Sequence, residues 1–253
     1  MYDCRTTDIV PLMKRAVIIG ATSGLGLEVA RSLLERGWSI GVAGRRVEML
    51  EQLRTVAPDR VRVHAIDVTR DDAPDRLHAL IDALGGMDLY FHSSGIGRQN
   101  PDLDPSIELA TVRTNGEGFV RMVTAAYRYF RTQGRGHIAA ITSVAGTRGM
   151  GAAAAYSATK RFQRTYLDAL AQLAHREGLR LRITDIRPGF VRTALLNPEV
   201  RYPMLMEPAP VARRIVDAVE RRRRVATIDR RYRALVLLWR LLPQCVWERM
   251  KWC

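Results

Sequence analysis

Residues 16–30 read AVIIGATSGLGLEVA, and this stretch decides the fold. Ala16–Ile19 is a short apolar run rich in β-branched residues, the pattern of a strand buried on both faces. From Leu25 to Arg36 the apolar residues recur at helical spacing, and Gly37 closes the segment. Between strand and helix stand Gly20, Gly24 and Gly26, spaced G-x-x-x-G-x-G, with Thr22 and Ser23 inside the loop. Glycines let the backbone turn tightly and let an anion approach it. The helix, opened by Leu25, offers free N–H groups and the positive end of its dipole. Thr22 and Ser23 can add hydroxyl donors. The unit is a phosphate cradle, and taken alone it implies a nucleotide and nothing finer.

Outward from this unit the alternation repeats. Strands are expected at Trp38–Ala43, Val61–Ile66, Asp88–His92, His137–Thr142, Arg180–Asp185 and Val225–Ile228. Helical patterns at Val47–Val56, Ala73–Leu84, Ile107–Thr132, Ala155–Arg176 and Pro210–Arg223 separate them. Such alternation implies βαβ units. The expected fold is α/β: one Rossmann-type, doubly wound parallel sheet of about seven strands over residues 14–230, helices on both faces. A helical extension follows at 231–253.

The composition fits a globular chain. Of 253 residues, 47% are hydrophobic and 26% charged. Cys4, Cys245 and Cys253 have no metal or redox spacing, so no metal site and a reducing compartment are expected. The first residues lack a continuous apolar run, and no stretch approaches the ~20 apolar residues of a spanning helix. A cytoplasmic location is the resulting expectation.

The second strand bears on which nucleotide is bound. It ends Ala43-Gly44-Arg45-Arg46, with Arg45 25 residues after Gly20. An acid near this place would hold the ribose 2′-hydroxyl of NAD, whereas a guanidinium suits a 2′-phosphate. NADP(H) is therefore expected over NAD(H), against the alternative that Arg45 and Arg46 only begin the next helix. Asp67 and Val68 end the third strand, where the Asp67 carboxylate could accept from an adenine amino group or cap a turn.

Tyr156-Ser157-Ala158-Thr159-Lys160 opens the long helix after the fifth strand. Residues four apart share a helix face, so Tyr156 and Lys160 point the same way. A nearby ammonium favours phenolate and should lower the tyrosine pKa towards working pH. Ser143 stands 13 residues before Tyr156, at the sheet edge where open α/β folds bind ligands.

The chain resembles the short-chain dehydrogenase/reductase family over about residues 14–230. The resemblance rests on Gly20/Gly24/Gly26, Asp67, Asn115, Ser143, Tyr156/Lys160 and Pro188-Gly189, in order and spacing. It implies direct hydride transfer between nicotinamide and a ketone, aldehyde or secondary alcohol. Tyr156 would give the proton to the carbonyl oxygen, and Ser143 would orient that oxygen. Lys160 would hold the nicotinamide ribose, and Asn115 a water that feeds a proton relay through Lys160. Gly95, Pro188, Gly189, Val191 and Thr193 would bound the cofactor, and residues 194–210 would form the substrate loop. A homodimer or homotetramer through helices 107–132 and 155–176 is implied as well. A non-catalytic NADP-binding sensor or scaffold is the alternative reading, opposed by the intact Asn115/Ser143/Tyr156/Lys160 set. An isomerase or dehydratase on the same fold would be told apart by its product.

Two features fall outside the pattern. The family's Asn-Asn-Ala-Gly after strand four is His92-Ser93-Ser94-Gly95 here, with a structural role expected for His92, which could tie neighbouring strands through a ring N–H. The end of the chain is also unusually basic: of 40 Lys/Arg and 26 Asp/Glu in the chain, residues 211–253 hold twelve and four. Its last part, DRRYRALVLLWRLLPQCVWERMKWC, mixes arginines with an apolar helix interrupted by Pro243. Such a helix either packs on protein or lies on an anionic membrane surface, the inner face of a membrane included. No nucleic-acid motif accompanies the charge, so nucleic acid is not an expected partner.

Overall fold

The computed structural model describes residues 14–250. Cys4, Cys253 and Trp252 lie outside the described residues, and Cys245 is an exposed free thiol.

Seven strands form one sheet: β1 (Arg15–Ile19), β2 (Ser39–Gly44), β3 (Val61–Ala65), β4 (Leu89–His92), β5 (Arg135–Ile141), β6 (Arg180–Arg187) and β7 (Val225–Thr227). All neighbours pair parallel, in the order β3-β2-β1-β4-β5-β6-β7. The order reverses at β1, which lies between β2 and β4, so a crevice opens beyond the carboxyl ends of these strands.

Strand periodicity sets the two cores. On β1, Ala16 and Ile18 face one layer while Val17 and Ile19 face the other. The first layer holds α1 (Gly24–Glu35), α2 (Val47–Val56) and α7 (Pro208–Glu220), through residues such as Leu33, Leu50, Ile215 and Val219. The second holds α3 (Ala73–Leu84), α5 (Phe119–Gln133) and α6 (Ala154–Arg176), through Leu77, Phe119, Phe130 and Leu167. The sheet is buried on both faces, as its continuous apolar strands require.

The single helix expected over 107–132 is resolved into three pieces. α4 (Pro105–Val112) runs into a π-helical turn at Arg113–Gly118, and α5 continues from Phe119. α4 begins where the Asp104 carboxylate accepts from Ser106 N–H and Pro105 fills the first turn. Asn115 lies in the π turn, an insertion that such turns place in helices at functional sites.

The C-terminal extension folds back onto its own domain as α8 (Arg230–Leu241) and α9 (Gln244–Arg249), with Pro243 between them. Tyr232, Val236, Trp239 and Trp247 are buried in the first core layer. Arg148 anchors this arm. Its guanidinium donates to the carbonyls of Trp239, Arg240 and Leu242, which end α8, and to the Gln244 side chain, and it lies 5.4 Å from the Trp247 ring centroid. Hydrogen bonds from a charged donor contribute about 1.5–3 kcal/mol. Arg148→Ala should therefore lower the melting temperature by roughly 3–12 °C, read by calorimetry, and should increase protease cleavage within residues 230–250.

Candidate active site

Gly20 leaves β1 with φ +89°, a value that suits glycine, and a Cβ there would lie 2.6 Å from the Ser94 backbone nitrogen. A Cβ on Gly26 would collide with the Gly20 carbonyl oxygen, so α1 approaches the end of β1 only because residue 26 has no side chain. Ser23 stands at the N-cap of α1 with extended backbone and makes no side-chain capping bond. The first N–H groups of the helix therefore face the loop beside the Thr22 and Ser23 hydroxyls. Arg46 reaches over this loop and donates to Thr22 Oγ1 at 3.2 Å and Ser23 Oγ at 3.1 Å. Arg45 is exposed at the end of β2 and helps hold the Asp67 carboxyl below its ordinary range, although burial opposes that shift and Thr69 contributes more through two hydrogen bonds. A cradle a Cβ would fill, free helix N–H groups and two arginines together fit a nucleotide phosphate.

The second half of the site stands across the crevice. Ser143 follows β5, and its Oγ accepts from Ala145 N–H at 3.1 Å. Tyr156 and Lys160 project from the first turns of α6. Glu108 on α4 ties this helix start to the loop at Asn100: one carboxylate oxygen accepts from Ala155 N–H and the other from Asn100 Nδ2, each at 2.9 Å. Burial raises the Tyr156 phenol above its ordinary pKa, and a hydrogen bond with Ser143 partly offsets this. The lowering expected from Lys160 is not what the structure gives. The Lys160 ammonium lies 5.7 Å from the Tyr156 ring centroid and donates instead to the Ile141 carbonyl at 3.0 Å and to Gln163 Oε1 at 3.1 Å. Burial itself lowers Lys160 to about 8, with Asp185 opposing.

Asn115 is fully buried behind the wall of the crevice. Its Oδ1 accepts from Ile96 N–H at 2.9 Å and its Nδ2 donates to the Ile96 carbonyl at 2.7 Å, so it fixes the loop that carries Gly95. Its own carbonyl accepts from Gln163 Nε2 at 2.8 Å. His92 does not tie neighbouring strands: its Nδ1 pairs with the Tyr90 hydroxyl of its own strand at 2.8 Å, and Phe119 packs edge-on to it. Its pKa falls to about 3, chiefly through burial, so it is neutral at working pH.

Of the residues expected at the site, Gly26 and Asn115 lie behind the wall, and the others line one continuous cleft of about 1420 Å³. Val68 and Leu25 stand at its nucleotide end with Asp67, and Pro188, Gly189, Val191 and Thr193 border it after β6. Thr193 also touches the cradle, since a Cβ on Gly24 would meet its methyl at 3.2 Å.

The sequence reading missed five contributors. Gly97 passes so close over the Tyr156 ring that a Cβ would collide with it, and the glycine-rich run Gly95-Ile96-Gly97 was the available signal. Tyr232 of the arm packs against Gly189; its hydroxyl accepts from Phe190 N–H at 3.0 Å and donates to the Pro203 carbonyl at 2.8 Å. It thereby joins the backbone at Phe190 to that at Pro203, which lies within the stretch 194–210 expected to form the substrate loop. Trp239 and Trp247 line the cleft beside Met150, and Trp247 Nε1 donates to the Gly149 carbonyl at 2.9 Å. Gln163 joins Lys160 to Asn115 and carries no motif.

A family model described as short chain dehydrogenase matches residues 14–202. An uncharacterized oxidoreductase of Myxococcus xanthus is 35% identical over 201 residues, which cover 77% of this chain and 79% of that protein. An uncharacterized oxidoreductase of Mycobacterium tuberculosis is 29% identical over 218 residues, covering 82% and 85%. In fold, the chain is similar to a short chain dehydrogenase of Burkholderia cenocepacia in complex with NADP, with TM-score 0.81 and 21% identity over 95% of this chain and 98% of that one. A 3-ketoacyl-(acyl-carrier-protein) reductase of Brucella melitensis complexed with NADH gives TM-score 0.76 at 24% identity, covering 85% and 95%. The chain belongs to the short-chain dehydrogenase/reductase family of NAD(P)-dependent oxidoreductases that act on CH–OH groups.

Proposed function

We propose that this protein interconverts an apolar ketone or aldehyde and its alcohol, using NADPH in preference to NADH, with Tyr156 as the general acid. The observation that carries this reading is the convergence of Ser143, Tyr156 and Lys160 on a cleft that also contains the Gly20–Gly26 cradle. When bound, the cofactor supplies the hydride, and the residues of the chain manage the oxygen and its proton. The Ser143 hydroxyl orients the carbonyl oxygen. The Tyr156 hydroxyl donates its proton to that oxygen, and burial keeps it protonated, as an acid must be. The Lys160 ammonium, which keeps one N–H free beyond its bonds to Ile141 and Gln163, holds the ribose. Arg45 and Arg46 support the preference for a 2′-phosphate, since no carboxylate stands at the end of β2 to hold a free hydroxyl. With NADPH the reaction runs towards the alcohol. The intact set opposes a sensor or scaffold, which needs the cradle but not Ser143, Tyr156 and Lys160.

The substrate end of the cleft supports an apolar substrate. Met150, Phe190, Leu195, Leu196, Trp239 and Trp247 surround it. The outer face of the arm supports a source for that substrate. Ala234, Leu237, Leu238 and Leu241 lie three and four apart opposite the buried face, and Leu237, Leu238 and Leu241 are 58%, 65% and 80% exposed. Arg230, Arg233, Arg240 and Arg249 border this strip and are exposed. A second copy docked symmetrically here would set these arginines against their equivalents. An anionic bilayer surface satisfies both the leucines and the arginines, and the proposal commits to it. Among the described residues no helix is long and apolar enough to cross a membrane. Self-association belongs to the reading at a different place, the α4–α6 surface, where Leu109, Val112 and Phe162 are exposed.

Titration of the purified protein with NADPH and NADH side by side tests the cofactor reading. NADPH should bind more tightly, and Arg45→Asp should cost about 1.5–3 kcal/mol of that preference, roughly 10- to 100-fold. Tyr156→Phe should still bind NADPH but fail to oxidise it with a panel of apolar ketones and aldehydes. Equal binding of the two cofactors would contradict the role of Arg45, and turnover by Tyr156→Phe that of the phenol. Sedimentation with vesicles tests the lipid reading. The protein should pellet with phosphatidylglycerol-containing vesicles and not with pure phosphatidylcholine, and added salt should release it. Leu238→Glu/Leu241→Glu should weaken this at least tenfold, since burying one leucine is worth about 1.5–3 kcal/mol, while NADPH binding is retained. Equal partition to both vesicles, or none, would refute lipid docking.

A further inference from the structure

Gln163 stands three residues after Lys160 and seven after Tyr156, so all three share one face of α6. It is fully buried, and its side-chain amide spans from the Lys160 ammonium to the Asn115 main-chain carbonyl. The orientation of that amide follows from chemistry. An ammonium is a donor only and a carbonyl an acceptor only, so Oε1 must face Lys160 and Nε2 must face Asn115. The reverse placement would oppose donor to donor and acceptor to acceptor. Both distances, 3.1 and 2.8 Å, lie within the normal hydrogen-bond range.

The bridge has two consequences for Lys160. An ammonium has three N–H groups. Ile141 and Gln163 take two, which leaves one for the cleft and fixes where it points. The second consequence is electrostatic. Lys160 is buried, and burial disfavours its charged form. The charged and titratable groups around it are Tyr156 on its own helix, His92 on β4, and Asp185 on β6. His92 is neutral, and Asp185 is already paired with Arg187 and Thr142, with Arg164 nearby. The Gln163 carbonyl dipole is therefore a direct support for the Lys160 charge.

The resemblance gives this place between Lys160 and Asn115 to a water that passes protons. A side-chain amide accepts at one end and donates at the other, but it does not give up its N–H at working pH. We propose that Gln163 is a positioning residue of this enzyme: its amide replaces a proton relay with a fixed dipole that holds Lys160 charged and aimed at the nicotinamide ribose. The proton that restores Tyr156 then arrives from the cleft and not through the Asn115 carbonyl. This inference rests on the oxidoreductase reading above for its consequence, and on the buried bridge for its geometry.

The chain has three lysines, Lys14, Lys160 and Lys251, which makes the test direct. NMR titration of the cofactor-free protein labelled with ¹³C at the lysine ε-carbon reads the Lys160 charge without any turnover. Lys160→Arg assigns its signal. The wild type should show one lysine titrating near 8, well apart from an ordinary lysine near ~10.4. Gln163→Met removes the carbonyl dipole and should move that midpoint to a pH lower by about one. Gln163→Glu puts a carboxylate beside the ammonium and should move it to a pH higher by at least about one. The alkaline limb of the carbonyl-reduction rate should move in the same directions, so that at a fixed pH on that limb the rate changes about tenfold. A loosened core would not move one group in opposite directions. Should Gln163→Met fail to fold, the rise in Gln163→Glu alone decides. An unchanged Lys160 titration in Gln163→Glu, or movement of the same sign in both variants, would overturn the proposal. A wild type that gives the expected NMR titrations but reduces no carbonyl would refute the oxidoreductase reading and leave the bridge in place.

Discussion

The close approach of α1 to the end of β1 is the constraint on which the rest of the site depends. A side chain at residue 26 would occupy the space of the Gly20 carbonyl, and one at residue 20 would meet the Ser93–Ser94 backbone just past β4. Without both glycines the helix would be pushed away from the sheet edge, and its free N–H groups would no longer face the crevice. The crevice itself exists because the strand order reverses at β1, which separates the loops after β1 and β4 to either side. Glycine at two positions and parallel pairing at one junction thus set where a phosphate can sit. The distance from there to Tyr156 follows from the width of the sheet between β1 and β5.

Helix α6, which carries Tyr156 and Lys160, is held at several points, each by a different kind of interaction. Glu108 caps its start, Gln163 joins its middle to the π turn, and apolar packing of Leu167 and Leu170 fixes the remainder. The π turn is what brings the Asn115 carbonyl and side chain into reach of Gln163 and Ile96 at once. Fixing Lys160 this way has an electrostatic cost, since the ammonium is removed from water, and the Asp185 carboxylate offsets only part of that cost. A lysine poised near 8 is the outcome.

Much of this was legible in the sequence because it is written in local periodicity. The strands, the glycine loop and the shared face of Tyr156 and Lys160 all depend on residues within a few positions of one another. What was not legible depends on tertiary distance. The π turn leaves no mark in apolar spacing, so 107–132 reads as one helix. Gln163 reads as an ordinary polar position in a long amphipathic helix until the fold places Asn115 opposite it. The Tyr156 pKa follows burial more than its neighbour four residues on, because the Lys160 ammonium is drawn aside by Ile141 and Gln163. In the arm, arginine and leucine alternate too closely for the sequence to tell a core face from an outer face. The contacts of Tyr232 and Arg148 decide it.

The central question is whether the Ser143, Tyr156 and Lys160 cluster moves a hydride to an apolar carbonyl. The direct measurement is incubation with NADPH carrying deuterium at C4 of the nicotinamide and a panel of apolar ketones and aldehydes, followed by mass spectrometry of the products. The account predicts an alcohol with one deuterium on the former carbonyl carbon, formed from one face of the cofactor only. NADPH that binds tightly while no product gains deuterium would contradict it, and would favour a protein that reads the cofactor without using it.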